Sequence, residues 1–213
     1  MLQPTKVGRV AAIGLLVASG MLLGACAGEV TGPQAASVEA TSMFVPSTAS
    51  KALIGVADGL YKVTFNPHED QTIRLGPNIL WIPSRAVCDL SSSGYGPDAW
   101  NKSCRAESKP INLVITIKGA ASSHPSMDFA PAMRFSPDKV VQLFMYAPHV
   151  TIADATNWLM LYCPDKSKCV DESLTDKSLV TSIDRANSML FRRVKHFSGY
   201  TVAEFADGLP PVL

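Results

Sequence analysis

Apolar and polar side chains alternate along much of the chain, at the period of two that is typical of strands with one buried face. Three segments show this alternation clearly: residues 60 to 65, 111 to 117 and 127 to 135. In the last of these, Asp128 and Arg134 oppose the apolar positions. The pattern predicts three strands that each bury one face.

Two further segments are nearly continuous apolar runs: residues 140 to 146 and 158 to 162. Both are short and rich in β-branched or aromatic side chains, so we expect interior strands that are covered on both faces. Residues 79 to 82 and 199 to 205 complete the predicted strands, and prolines and glycines mark the turns between them. Short strands at this spacing indicate a sandwich or a barrel, and we expect an all-β fold, an antiparallel β-sandwich.

The segment before the last strand is ambiguous. Apolar residues between positions 180 and 194 fall at helix-like intervals, and Ser182 is a suitable cap for such a helix. We favour a strand over residues 188 to 197, because Ser198 and Gly199 then provide the turn of a hairpin into the final strand.

Upstream of the strands, the N-terminus has the layout of a secretory signal. Lys6 and Arg9 precede an apolar stretch over residues 10 to 23, which small residues follow. This stretch is shorter than the ~20 residues that a transmembrane helix needs. Residues 1 to 25 are therefore predicted to be a removable signal peptide and not a membrane span.

The end of this signal, Leu23-Gly24-Ala25-Cys26, resembles the lipobox of bacterial lipoprotein precursors. The resemblance implies that Cys26 carries lipid, of the palmitate type, and is the first residue of the mature protein, anchored to the lipid bilayer. Ala27 stands where some lipoproteins of the inner membrane have aspartate, so the expected location is the cell envelope, at the outer membrane if the organism has one. An ordinary signal with a chance cysteine is the alternative.

Composition separates a tether from a domain. Residues 26 to 57 are rich in small and polar side chains, which predicts a flexible tether, although Phe44 and Val45 offer a short docking strand as the alternative. The β-sandwich domain is expected over residues 58 to 206, and a tail follows over residues 207 to 213. Loss of the signal removes two of the 19 basic residues and none of the 18 acidic ones, so the formal net charge changes from +1 to −1. Nucleic acid is therefore not an expected partner.

Four cysteines remain after Cys26, and an even number in an exported chain indicates two disulfides. Three pairings are open, and we favour the local one, Cys88 with Cys104 and Cys163 with Cys169, because each pair brackets a polar loop. No metal is expected, since neither spacing suits a structural zinc site.

Three segments resemble the β-sandwich domain that ankyrins, netrin receptors and zonula occludens scaffolds share, and its bacterial cell-surface versions. They are residues 79 to 86 (ILWIPSRA), residues 129 to 135 (FAPAMRF) followed by residues 140 to 146, and residues 196 to 202 (HFSGYTV). The resemblance implies a β-sandwich that binds or scaffolds without catalysis. It implies no particular partner-binding residues.

The four histidines suggest little chemistry. His68, in a polar turn with Glu69 and Asp70, is expected to lie in a solvated hairpin loop, and His124 and His149 are expected in turns. His196 follows Arg192, Arg193 and Lys195; we expect it to be buried and hydrogen-bonded, and a basic patch for acidic lipid or polysaccharide is the alternative. The chain has no Gly-x-Ser-x-Gly motif, so no catalytic residues and no cofactor are predicted.

The loop over residues 89 to 103 is the predicted binding surface, because Tyr95 and Trp100 lie in it above a disulfide. Burial of Trp100 as a cover for the core is the competing interpretation. The expected function is a non-catalytic structural or interaction module of the cell envelope, with an envelope protein or a polysaccharide as partner. A carbohydrate-binding module and an envelope hydrolase are the alternatives.

Overall fold

The computed structural model describes residues 58–148, 157–165 and 168–204. These residues form an all-β sandwich of two antiparallel sheets, as the sequence predicts. Eleven strands make up the described part of the chain: β1 Gly59–Phe65, β2 Gln71–Leu75, β3 Asn78–Ile82, β4 Ile111–Lys118, β5 Ser126–Arg134, β6 Val141–Tyr146, β7 Trp158–Asp165, β8 Lys168–Val170, β9 Ser182–Asp184, β10 Met189–Val194 and β11 His196–Glu204.

The larger sheet has the strand order β1-β4-β5-β11-β7-β8, and the smaller sheet has the order β2-β3-β6-β10-β9. The period-two segments are strands β1, β4 and β5. The apolar faces of β4 and β5 are largely buried, whereas on the edge strand β1 only Phe65 is buried and Tyr61 and Val63 are half-buried. Strand β6 is the middle strand of its sheet, which explains why five of its six residues are buried. Strand β7 is also interior, because β11 and β8 flank it.

One core fills the space between the sheets. Side chains from both sheets are completely buried there, including Leu80 of β3, Leu113 of β4 and Phe197 of β11. Phe197 stacks on Phe129 with ring centroids 4.4 Å apart, and its ring also meets the edge of Phe135. These aromatic contacts fix the start of β11 against the end of β5.

The region before the last strand corrects one prediction. A strand, β10, does occupy Met189–Val194, but β11 begins at His196, so Lys195 alone connects the two. Strand β10 pairs with β6 and β9, whereas β11 pairs with β5 and β7 in the other sheet. The expected hairpin at Ser198 is therefore wrong, because the chain crosses between sheets at Lys195.

Gly199 explains why the sequence suggested a turn. It lies inside β11, where the register against β5 shifts between Phe197 and Gly199. A Cβ atom at Gly199 would come within 2.8 Å of the carbonyl oxygen of Cys163 and 2.7 Å of Asp128 Oδ1. Glycine is required here for close approach of neighbouring backbone and side-chain atoms, and not for a turn.

The polar segment 66 to 70 is also not a hairpin loop. It connects β1 to β2, which belong to different sheets, and the hairpin lies instead between β2 and β3. His68, Glu69 and Asp70 are exposed, as expected. Asp70 Oδ1 accepts a hydrogen bond of 2.7 Å from the backbone N–H of Ser84, so this carboxylate fixes the segment to the end of β3.

Several predictions concern residues outside the described ranges: the signal peptide, the lipidated Cys26, the tether with Phe44 and Val45, His149, and the tail. Among the described residues, no helix has the length and apolar character needed to span a membrane.

Candidate functional site

The disulfide loop, residues 89 to 103, is closed at its base exactly as the local pairing predicts: Cys88 is bonded to Cys104. Cys88 is fully buried, and its backbone N–H donates to the carbonyl oxygen of Arg134 at 3.0 Å. Beyond the loop, Ala106 forms a β-bridge with Cys88. Both ends of the loop therefore lie beside the end of β5. The second predicted disulfide, Cys163–Cys169, is also present and links β7 to β8.

Asp89 organises the first turn of the loop. Its Oδ1 atom accepts hydrogen bonds from the backbone N–H and the hydroxyl of Ser91, at 2.8 and 2.7 Å. Its Oδ2 atom accepts from Arg105 Nε at 2.9 Å and pairs with the same guanidinium through Nη2. The Arg105 hydrogen bonds and the Ser91 donors hold the pKa of Asp89 well below its usual range. Asp89 and Arg105 therefore form a charge pair that is neutral as a unit.

Arg134, at the end of β5, fixes the far side of the loop. Only 4% of this residue is exposed, although the strand pattern placed it on the face away from the core. Its Nη1 atom donates to the carbonyl oxygens of Ala99 at 2.8 Å and Lys102 at 2.7 Å, and Nη2 lies 3.5 Å from that of Ser103. The loop folds over the outer face of β5 and buries the guanidinium there.

An open depression of about 520 Å³ lies between the disulfide loop and Arg134. We call it the loop depression; its lining residues are Ser92, Ser93, Gly94, Ala99, Lys102, Ser103, Cys104, Arg105 and Arg134. Three of them carry positive charge and none carries negative charge. Its volume is in the range of small-molecule sites.

Trp100 covers the end of the core, which was one of the two competing interpretations. It packs against the core cluster, and its ring stacks on His196 with centroids 3.9 Å apart and an interplanar angle of 23°. Tyr162 contacts the Trp100 ring edge-on at 5.9 Å. The role of Trp100 in binding stays a prediction, but one face of its ring is occupied by the protein itself.

Tyr95 is the more exposed of the two aromatic residues, at 47%. Its hydroxyl donates to the carbonyl oxygen of Phe197 at 2.7 Å, and burial of the hydroxyl raises the pKa of Tyr95 above its usual value. The Tyr95 ring stands at 81° to that of His196, whereas Trp100 is within 23° of it. The two aromatic rings are therefore not coplanar and do not form a flat platform for a sugar.

Beneath Trp100, a buried network joins Glu172, Arg192 and His196. Glu172 Oε1 lies 2.7 Å from His196 Nε2, and Oε2 lies 2.7 Å from Arg192 Nη2. The side chains of His196 and Arg192 are fully buried, and that of Glu172 is 6% exposed. The expected buried, hydrogen-bonded histidine is thus found.

The alternative of a basic patch around His196 is wrong. Arg192 is buried against Glu172, and Arg193 donates to the carbonyl oxygens of Pro137 and Lys139. Lys195 is 8% exposed and pairs with Asp176, while Asn101 of the disulfide loop lies 2.5 Å from the same ammonium. These cations are used inside the fold and do not face solvent as one surface.

Glu172 belongs to the first of two short 3₁₀ helices, Glu172–Leu174 and Lys177–Leu179, which precede the segment 180 to 194 where the sequence suggested helical spacing. Asp171 and Asp176 cap them by accepting from the backbone N–H groups of Ser173 and Ser178. Sequence analysis did not identify Glu172. The available signal was Arg192, which shares the inward face of β10 with Leu190 and Val194 and therefore needs a buried partner.

His68 and His124 are exposed, and no group of three or more metal-ligating side chains occurs within the described ranges. His196 Nδ1 is buried and has no hydrogen-bond partner among the described residues, so no serine or cysteine is seen to contact it. The search for similar proteins gave no match to any family model, curated protein or solved structure.

Proposed function

We propose that this chain is a lipid-anchored lipoprotein of the cell envelope, and that its β-sandwich is a non-catalytic interaction module. Binding takes place at the end of the sandwich that the disulfide loop covers. The anchor is the bilayer-inserted lipid on Cys26, and the expected partner is another component of the envelope.

The observation that carries the proposal is the loop closed by Cys88 and Cys104. Disulfides persist in oxidising compartments, which agrees with export. The disulfide and the Arg134 hydrogen bonds hold an irregular segment of fifteen residues on the sheet. Recognition loops are commonly positioned by a rigid scaffold in this way.

The hydrolase alternative gains no support from His196. Its Nε2 atom is occupied by Glu172, and its ring is fully buried beneath Trp100, so a substrate has no access to it. The carbohydrate alternative gains none from Tyr95 and Trp100, whose rings are not coplanar.

The anchor is tested by Cys26→Ser in the full chain. We expect the variant to remain uncut, to incorporate no labelled palmitate and to lose the membrane association of the mature protein. Ala27→Ser is the matched control and should be processed and acylated normally. Normal processing and acylation of Cys26→Ser would contradict the lipoprotein proposal.

The binding end is tested by photo-crosslinking in intact cells. A crosslinking residue replaces Leu90, which is 45% exposed in the disulfide loop, or Leu60, which is 59% exposed on the edge strand β1. We expect a discrete adduct from position 90 and none from position 60. Equal labelling from both positions, or none from position 90, would argue against the loop as the interaction surface.

A further inference from the structure

We propose that the loop depression binds one oxyanion group, a phosphate or a carboxylate, between Arg134, Lys102 and the hydroxyl of Ser93. This inference deepens the proposed function, because it names the chemistry of the ligand that the module recognises. It depends on the proposed function in one respect only: that function places the protein in the cell envelope, where it meets the ligand.

The positive charge of Arg134 has no counter-ion within the described part of the protein. Its side chain is buried, yet each of its hydrogen-bond acceptors is a backbone carbonyl oxygen, and no ion pair with a carboxylate is found for it among the described residues. A buried charge is normally paired, because its transfer out of water is costly. The guanidinium at the wall of the loop depression therefore lacks an anion.

Two polar atoms of the residues that line the depression make no hydrogen bond. Arg134 Nε and Ser93 Oγ are both shielded from solvent, and neither has a hydrogen-bond partner within the described part of the chain. Buried polar atoms are satisfied in the great majority of cases, so each exception needs an explanation. Both residues line the same depression, and one bound group with several acceptor oxygens explains both exceptions.

The charges around the loop depression do not balance. Arg105 is neutralised by Asp89, which leaves Arg134 and Lys102 as the unpaired cations of the lining. Lys102 is exposed, and its ammonium forms no ion pair in the described ranges. The potential in the depression is therefore positive, although the whole mature chain is close to neutral.

The donor types then indicate the class of ligand. Guanidinium, ammonium and hydroxyl groups all donate hydrogen bonds, and phosphate and carboxylate oxygens accept several of them at once. A neutral ligand would leave the two cations uncompensated. Because the depression is open and about 520 Å³ in volume, the group can belong to a small molecule or project from a larger one.

A purely structural role for Arg134 accounts for less. Clamping the loop explains the Nη1 bonds to Ala99 and Lys102. It does not explain the unpartnered Nε, the unpartnered hydroxyl of Ser93, or the presence of Lys102 in the lining of the same depression. The anion accounts for all of these features together.

The test is a titration of the mature, lipidated protein in nonionic detergent micelles at pH 7 and constant ionic strength. Sodium phosphate and sodium acetate are the two probes, and sodium chloride replaces them in the reference. The readout is the chemical shift of the backbone amides of residues 92 to 94. We expect saturable shifts with at least one probe, and the stronger probe tells which oxyanion the site prefers.

Two variants keep the fold and alter the site. Lys102→Glu changes an exposed side chain, and Ser93→Ala removes a hydroxyl that has no protein partner. Each should weaken binding by roughly tenfold, as expected for the loss of a charge-assisted hydrogen bond. Lys62→Glu makes the same charge change at an exposed position of β1 and should leave the affinity unchanged.

The proposal is overturned if neither probe gives saturable shifts, or if Lys102→Glu binds as tightly as the unmodified protein. Equal weakening by Lys62→Glu would also overturn it, because the effect would then be one of net charge. The same titration of the unprocessed Cys26→Ser chain should give the same shifts, because the site lies in the folded domain, so failure of the anion site is distinguishable from failure of the lipoprotein assignment.

Discussion

Two buried arginines lie near the same end of the sandwich, and they differ in the groups that contact their buried positive charges. Arg192 sits between the sheets and pairs with Glu172, which also binds His196. Arg134 sits on the outer face of β5 and bonds to loop carbonyls alone. The first charge is balanced within the protein, and the second is not.

The difference teaches where a ligand belongs. The Arg192 network is closed, since Trp100 covers it and its charges are compensated, so its role is to hold the fold together. The Arg134 region is open and keeps unused donors. The network of Glu172, Arg192 and His196 therefore stabilises the fold. The region around Arg134, where the positive charge is not balanced, is the better candidate for binding.

The largest expected effect comes from breaking the compensated pair. Arg192→Met should lower the free energy of unfolding by about 3–5 kcal/mol, because it leaves the Glu172 carboxylate buried without its cation. Urea unfolding of the mature protein in micelles measures this. The double variant Arg192→Met/Glu172→Gln should lose less than the sum of the two single changes, since it removes both charges. Strict additivity would contradict the network.

The next largest loss of stability is expected from removing the disulfide that closes the loop over Arg134. Cys88→Ala/Cys104→Ala should cost about 3 kcal/mol, because the closed loop of the unfolded chain is released. The Cys163–Cys169 disulfide closes a shorter loop, so Cys163→Ala/Cys169→Ala should lower the free energy of unfolding by about 2 kcal/mol. The same unfolding measurement gives both values. A larger loss from the second pair would show that loop length does not determine the difference.

A smaller effect is expected from the uncompensated arginine. Arg134→Met removes hydrogen bonds to Ala99 and Lys102, but it also removes a buried charge that has no protein anion. The net loss of unfolding free energy should be about 1–2 kcal/mol, clearly less than for the same substitution at Arg192. If the two arginines proved equally important, the comparison between them would fail.

The smallest change in stability is expected from Asp176, which pairs with Lys195. Burial disfavours the charged form of Asp176, but the Lys195 ammonium and the Ser178 donors outweigh it and lower the pKa of Asp176 from 3.8 to about 2. The lowered value means that the stabilisation is fully present above pH 4 and is lost as pH falls from about 4 to 2. Since the Asp176 side chain is 29% exposed, we expect roughly 1 kcal/mol.

Asp176→Asn isolates this contribution, because asparagine retains the cap on Ser178. The variant should be less stable than the unmodified protein at pH 7, and the gap should close between pH 4 and pH 2. A gap that is constant with pH would exclude the ion pair as its cause.

The sequence was sufficient for the parts of the fold that depend on local periodicity and spacing. Strand β6 was recognisable as interior from its continuous apolar run, and each disulfide closes one local loop. The sheet change at Lys195 was not recognisable, because pairing partners of β10 and β11 lie far away in sequence. A serine and a glycine suggested a turn, whereas the backbone needed only a position without a side chain.

The candidate site was predictable in place but not in chemistry. The loop above Cys88 was identified from its cysteines and aromatics, yet Trp100 turned out to cover the network that Arg192 forms. Arg134 was placed on the polar face of β5, and nothing in the local pattern indicated that the disulfide loop folds over that face. Such contacts depend on the loop path, which periodicity does not encode.

The most direct test of the account compares the two arginines in one spectrum. Phosphate is titrated into the mature protein at constant ionic strength, and the Nε–H resonances of Arg134 and Arg192 are followed. We expect the Arg134 resonance to shift saturably and the Arg192 resonance to stay fixed. If the Arg134 resonance responds neither to phosphate nor, in a parallel titration, to acetate, or if both resonances move together in proportion to added salt, the loop depression is not an anion site.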